Sequence, residues 1–187
     1  MRVISGSAGR RKLKQPSGSK IRPTGGKVKE SIFNIIQFDI EGRVVLDLFA
    51  GTGQMGIETL SRGAKTVDFV DIDTEAIRLI RENVRLCDFD KSANIYQQDA
   101  ISFLSNVKKY DVIFIDPPYN LNLENKVFPI IEKFDKLNEN GIIIFETEAN
   151  KVSPQLSPPY VLKKEYNYGG VKIVRYSKEV QGAFSLI

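Results

Sequence analysis

The chain has 187 residues, a net charge of +4, one cysteine and no histidine. That length gives one domain with a full core; the lone Cys87 excludes an intramolecular disulfide, and the lack of histidine removes His triads, His metal sites and His general bases. The apolar runs are too short to span a bilayer and no secretory apolar region is visible, so the sequence reads as a cytoplasmic, metal-free protein.

The charge is unevenly placed. Residues 1–29 hold nine Lys/Arg and no acid, leaving 18 basic against 23 acidic residues in the rest. An acidic body behind a basic arm points to a polyanionic partner met by the arm; a solvated tail is the plainer reading. In chain order, Met1–Ser5 and Arg11–Lys14 can pair as a small hairpin around Gly6 and Gly9, and Pro16–Lys20 reads as a loop. Thr24 is placed to cap a helix from Gly25 to about Phe38, with Val28, Ile32, Ile35 and Ile36 on one face. The organisation expected is an arm over 1–24, a body over 25–180 and a tail over 181–187.

Val44–Phe49 reads as the first strand of the body. Ala50 leads from it into Gly51-Thr52-Gly53-Gln54-Met55-Gly56, a full G-x-G-x-x-G before a helix that ends at Gly63. By itself this motif, with Asp71 following 20 residues after Gly51, points to a nicotinamide or flavin dinucleotide. Asp47 argues otherwise, because a carboxylate there opposes a pyrophosphate. It suits the ammonium of S-adenosylmethionine, with Phe49, Ala50, Gly51, Thr52 and Gly53 around the methionine end. Thr66–Val70 is the second strand, and Asp71 at its end can take both ribose hydroxyls while Ile72 lies against the adenine. Asp73 caps a helix from about Thr74 that turns Ile77, Ile80, Val84 and Cys87 inward. Asn94–Gln97 is the third strand. Asp99, followed by Ala100, can accept the adenine amino group or simply cap a helix.

Val112–Ile115 is an unbroken β-branched and aromatic run, a strand covered on both faces. Asp116-Pro117-Pro118-Tyr119 then ends the pairing, since neither proline can donate to a ladder. The carboxyl edge of a central strand thereby receives a carboxylate, a rigid carbonyl and a ring, and that edge is where open α/β sheets bind ligands. Asp116 and the Pro117 carbonyl can accept both N–H bonds of an exocyclic amine, which stabilises the positive charge growing on nitrogen as it attacks a methyl group. Tyr119 can stack on a flipped-out base. A helix from about Leu123 to Leu137 contains Pro129, which should kink it or split off its first turn. Gly141–Glu146 is the fifth strand and Lys151–Pro159 a proline-rich loop. Tyr160–Tyr168 and Val171–Ser177 form a hairpin around Gly169-Gly170, and Gln181–Ile187 is a loose end.

Five β-α units followed by an antiparallel pair describe a doubly wound, seven-stranded, mostly parallel sheet with one reversed strand. This is the Rossmann-like class I methyltransferase topology, whereas the dinucleotide fold ends in parallel strands.

The Met-Arg-Val-Ile start, Gly9-Arg10-Arg11-Lys12-Leu13, Arg22-Pro23-Thr24, Glu30 with Phe33-Asn34, Leu46–Gly53 and Asp116–Tyr119 together resemble the RsmD-like family, the bacterial guanine-N2 methyltransferases of 16S ribosomal RNA. Asp71 departs from the Glu expected in similar proteins. The resemblance implies S-adenosylmethionine as cofactor and 16S rRNA, in the small subunit or its assembly intermediate, as partner. A monomer is expected, and the charge of the arm together with the resemblance assigns RNA contacts to Arg10, Arg11, Lys12, Lys14 and Arg22. Rival readings are an adenine-N6 methyltransferase using the same turn, a ribosome-assembly binding module with a vestigial cofactor site, and a dehydrogenase. The first usually needs a target-recognition domain for which no residues remain, and the intact Asp47, Gly51, Gly53 and Asp116 oppose the second. The Asp116 turn has no role in hydride transfer.

Overall fold

The structure, a computed structural model, describes residues 1–16 and 25–179. Arg22, Thr24 and the segment Gln181–Ile187 lie outside the described residues. The elements are α1 (Gly26–Ile35), β1 (Val44–Leu48), α2 (Gln54–Ser61), β2 (Thr66–Asp71), α3 (Thr74–Leu86), β3 (Ala93–Gln97), α4 (Ala100–Leu104), β4 (Tyr110–Ile115), α5 (Glu124–Lys133), β5 (Leu137–Glu148), β6 (Tyr160–Tyr168) and β7 (Val171–Lys178).

The seven strands form one sheet in the order β3-β2-β1-β4-β5-β7-β6. The first five are mutually parallel, and β7 runs antiparallel to both β5 and β6. Strand order reverses at β1–β4, where the crossovers change sides and leave a crevice at the carboxyl edge.

Alternation along each strand divides the core in two. Val45, Val67, Phe69, Val112, Phe114, Ile142 and Ile144 face one layer with Ile32, Phe33, Ile57, Ile77 and Ile80 of α1–α3. Leu46, Leu48, Val70, Ile113, Ile115, Ile143 and Phe145 face the other, with Phe103, Phe128 and Ile131 of α4 and α5. A sheet covered on both faces needs apolar residues at every position, which is why β4 and β5 carry unbroken runs.

The N-terminal hairpin is present, closed by an Arg2–Lys12 bridge and by the Val3 amide on the Arg11 carbonyl at 3.0 Å. Its Val3, Ala8 and Leu13 are buried in the α1–α3 layer. Gly6 adopts φ +82° against α2, where a Cβ would fall 1.7 Å from the Ser61 carbonyl oxygen, so no other residue fits without moving the hairpin.

Two helix ends differ from expectation, and so does the effect of Pro129. The helix expected to reach Phe38 stops at Ile35, and Phe38 stands exposed. The helix expected to reach Leu137 ends at Lys133, because Leu137 already pairs with Tyr110 and opens a 12-residue β5. Pro129 sits inside α5 without splitting it; the helix lacks only the one amide that proline removes, and burial of Val127, Phe128 and Ile131 outweighs that loss.

Candidate active site

The site is built along the carboxyl edge of β3-β2-β1-β4-β5, where neighbouring strands lie ~4.8 Å apart. At the end of β1, Phe49 takes φ +65°, an uncommon conformation for an aromatic residue, and the chain reverses through Gly51 (φ +55°) and Gly53 (φ +73°) into α2. A Cβ on Gly56 would lie 2.2 Å from the Phe69 ring, so the third glycine of the motif permits α2 to pack on β2. The Ala50 amide bonds the Val70 carbonyl at 3.0 Å, and the Gly53 amide bonds the Ala50 carbonyl at 2.7 Å. Thr52 is buried, with its hydroxyl 3.5 Å from the Met1 sulfur and its carbonyl accepting from Asn83 Nδ2 at 3.0 Å.

Asp47 lies beneath this loop, almost wholly buried, with Oδ2 accepting the Gly56 amide at 2.8 Å. Burial pushes its carboxyl up to about 7; the Gly56 amide lowers it in part, and the nearby Asp71 charge raises it further. The full negative charge expected at Asp47 is thus not fixed at neutral pH. A cation arriving beside it would draw the proton off.

Asp71 ends β2. Its Oδ2 accepts the Gly51 amide at 2.8 Å and its Oδ1 the Asp73 amide at 2.9 Å. Ile72, next along, exposes 69% of its surface, an apolar side chain with room for a flat partner. Asp73 caps α3 through the Ala76 amide at 2.9 Å. Asp99 caps α4: its Oδ2 accepts the Ser102 amide at 2.9 Å and the Ser102 hydroxyl at 3.1 Å, and Ala100 behind it is buried.

The Asp116 turn leaves β4 after Ile115, which is in register with Phe145 of β5. Pro117 is buried and Pro118 exposed, and the chain then makes a 3-10 turn over Tyr119–Leu121. Two residues that the sequence reading missed hold this turn. The Tyr119 hydroxyl donates to Glu146 Oε1 at 3.0 Å. Lys151 Nζ donates to the Tyr119 carbonyl at 2.9 Å, to Asn122 Oδ1 at 3.0 Å and to Glu124 Oε1 at 3.1 Å. The signal for Glu146 was visible: Ile142–Phe145 ends in a carboxylate just as Val112–Ile115 ends in Asp116.

The candidate arm cations are distributed rather than gathered at the crevice. Arg11 bonds the Leu86 carbonyl and Asp88 Oδ2 (2.8 Å), at the C-terminal end of α3. That helix starts at the crevice edge and runs ~20 Å back along the sheet at ~1.5 Å per residue, so Arg10 and Arg11 sit at the far end. Lys14 lies nearer, its amide bonding Asn83 Oδ1 at 2.6 Å while the same Asn83 reaches Thr52. Lys29, counted with the arm on charge, is buried against Glu58 at 3.1 Å. Glu58 also accepts the Ile4 and Ser5 amides at 2.7 and 3.0 Å and pairs with Arg62 at 2.9 Å.

These residues fit S-adenosylmethionine. The left-handed loop at Gly51 and Gly53 brings backbone close to the crevice, a single carboxylate stands at the end of β2, and Ile72 is exposed beside it. Among the described residues no group of three or more metal-ligating side chains occurs, and no helix is long and apolar enough to cross a membrane.

Fold and edge together define a class I, S-adenosylmethionine-dependent methyltransferase. The same sheet occurs in an RNA methyltransferase from Salinibacter ruber solved with S-adenosyl-L-homocysteine, at a TM-score of 0.65 and 15% identity over 89% of this chain and 99% of that one. More similar is the solved structure of yhhF from Escherichia coli, with a TM-score of 0.87 and 29% identity over 97% of this chain and 99% of that one. The family described as Conserved hypothetical protein 95 matches residues 1–177. A Haemophilus influenzae relative named Ribosomal RNA small subunit methyltransferase D is 34% identical over 94% of this chain and 93% of its own length. The chain belongs to this family, the RsmD-like methyltransferases.

Proposed function

We propose that the protein methylates the exocyclic N2 amine of a guanine in small-subunit ribosomal RNA. The observation that carries this reading is the Asp116-Pro117 turn, fixed at the end of β4 beside the glycine loop of β1. Its residues match what an aromatic amine requires. The lone pair of such an amine is delocalised into its ring, and two acceptors on its N–H bonds hold it for attack and stabilise the charge that develops. S-adenosylmethionine supplies a methyl group made electrophilic by its sulfonium. Asp71 is assigned to the ribose hydroxyls, Ile72 to the adenine face, Asp99 and Ala100 to the adenine edge, and Asp47 with Phe49–Gly53 to the methionine end. Asp116 and the Pro117 carbonyl hold the amine, Tyr119 stacks on the base, and the surplus proton leaves to Asp116 or to water. Positioning and electrostatics supply most of the rate, since no covalent enzyme intermediate is needed.

Small-subunit rRNA as substrate is supported by the name of the Haemophilus relative, and the guanine-N2 position by the resemblance of the N-terminal motifs. Arg10, Lys12 and Lys14 are assigned to phosphates along the hairpin, and Arg22 is assigned with them on sequence alone. The test is to incubate the protein with labelled S-adenosylmethionine and small subunits that lack the modification, then to digest the RNA and identify the nucleoside. N2-methylguanosine at one position is the expected product. N6-methyladenosine, or no transfer to RNA, overturns the reading.

A further inference from the structure

Glu146 is a carboxylate with more than nine-tenths of its surface buried, within β5 two residues before the strand's end and directly after four apolar residues. Burying that group is costly unless something charged or hydrogen-bonding meets it. Ile115 and Phe145 are paired across β4 and β5, so Asp116 and Glu146 are the next positions on neighbouring parallel strands, whose spacing is ~4.8 Å. The Tyr119 hydroxyl closes the triangle by donating to Glu146 Oε1. The stacking ring is thereby fixed by a carboxylate that stands one strand away from the amine-holding one.

We propose that Glu146 selects guanine by accepting its N1–H, while Asp116 and the Pro117 carbonyl hold the adjacent N2 amine. This rests on the guanine-N2 reading above. In guanine the N1–H and the N2 amine are neighbouring donors on one edge of the base, and two carboxylates side by side present matching acceptors. A base with a lone pair at N1 instead directs that pair at the Glu146 carboxylate, which leaves two acceptors facing each other. A site built to accept a hydrogen bond rejects an analogue that lacks the donor far more strongly than an apolar pocket does. Glu146 is thus a specificity residue, and through Tyr119 it couples recognition of the edge to the position of the ring.

The discriminating probe is 2,6-diaminopurine riboside, which keeps the 2-amine but carries an acceptor at N1. Small subunits are reconstituted with 16S RNA that bears, at the mapped base, either guanosine or 2,6-diaminopurine riboside introduced by ligation. Single-turnover methylation is then compared between wild type and Glu146→Gln. The Gln amide can still accept from Tyr119 through its oxygen, and it can offer an N–H to an acceptor at N1. Wild type should favour guanosine by at least 10²-fold, and Glu146→Gln should reduce that ratio at least tenfold. A variant that loses rate equally on both bases would make Glu146 only a support for Tyr119 and overturn the assignment. Failure of wild type to methylate guanosine in any subunit would instead overturn the guanine-N2 reading itself.

Discussion

Asp71 Oδ2 accepts the Gly51 amide at 2.8 Å, so the carboxylate at the end of β2 also fixes the glycine loop that follows β1. One residue therefore ties together the two halves of the cofactor crevice. Asp71→Ala removes the proposed ribose contact and the bond to the Gly51 amide at once. It should weaken S-adenosylmethionine by ~1.5–3 kcal/mol, the range of charge-assisted hydrogen bonds. Isothermal calorimetry on folded variant protein measures this, and unchanged affinity would take Asp71 out of the site.

Asp116→Ala separates binding from chemistry. Cofactor affinity should stay near wild type, because the Asp116 turn belongs to another strand than Asp71 and the glycine loop. Methyl transfer under single-turnover conditions should fall by at least ~10²-fold, as happens when one preorganised partner of a developing charge is lost. A rate near wild type would discard amine activation by this turn.

Asp47 makes a pH prediction. Its folded-state carboxyl lies at about 7, above the ordinary 3.8, so the folded protein holds a proton there that the unfolded chain releases. Stability from this group is therefore greatest below about pH 4, declines as pH rises, and reaches its floor above about 7. At ~1.4 kcal/mol per pH unit the difference is ~4 kcal/mol at most. Urea titrations across this window should show a downward slope with rising pH that Asp47→Asn flattens. If the cofactor ammonium sits beside Asp47, affinity should also tighten as pH rises through 7, with a proton released on binding. A flat affinity profile would leave Asp47 as a support for α2.

Glu58 is the joint between the hairpin and the body. It is fully buried, and burial lowers the Lys29 ammonium below its usual range while the Glu58 charge acts to raise it. Glu58→Ala leaves Lys29 buried without its counter-charge and orphans the Ile4 and Ser5 amides. A loss of about 3–5 kcal/mol in urea unfolding is expected. A loss below ~1 kcal/mol would mean that the hairpin is held by its buried Val3, Ala8 and Leu13 and its bonds to Ser61, Asn83 and Asp88 rather than by Glu58.

The hairpin cations divide by their partners. Arg11 is engaged with Leu86 and Asp88, whereas Arg10 and Lys12 are exposed on the same hairpin. Replacing Arg10 and Lys12 by Ala should flatten the log–log salt dependence of RNA binding by about 1.4, at ~0.7 per phosphate contact on single strands. Cofactor affinity should not change. An unaltered slope in titrations at several salt concentrations would place the RNA contacts elsewhere.

Local sequence was enough for the order of elements and for the glycine turn after β1 and the proline turn after β4. Runs such as Val112–Ile115 exclude water on both faces, Gly53 permits the left-handed turn (φ +73°) that other residues resist, and Pro117 restricts the backbone whatever surrounds it. The sequence thus determined a doubly wound sheet with a reversed C-terminal strand, and it singled out Asp71 and Asp116 as strand-end carboxylates. Tertiary structure decided what depends on distant partners. Leu137 became strand rather than helix because pairing with Tyr110 and burial outweighed helical propensity. Lys29 was withdrawn from the basic arm because Glu58, 29 residues later, meets it in the core. Asp47 lost its fixed charge to desolvation, which composition does not encode. Glu146 joined Asp116 and Tyr119 only when β5 settled beside β4 in the register that pairs Phe145 with Ile115. Sheet register fixes which side chains share an edge, and it is set by packing across the whole sheet rather than by any one strand.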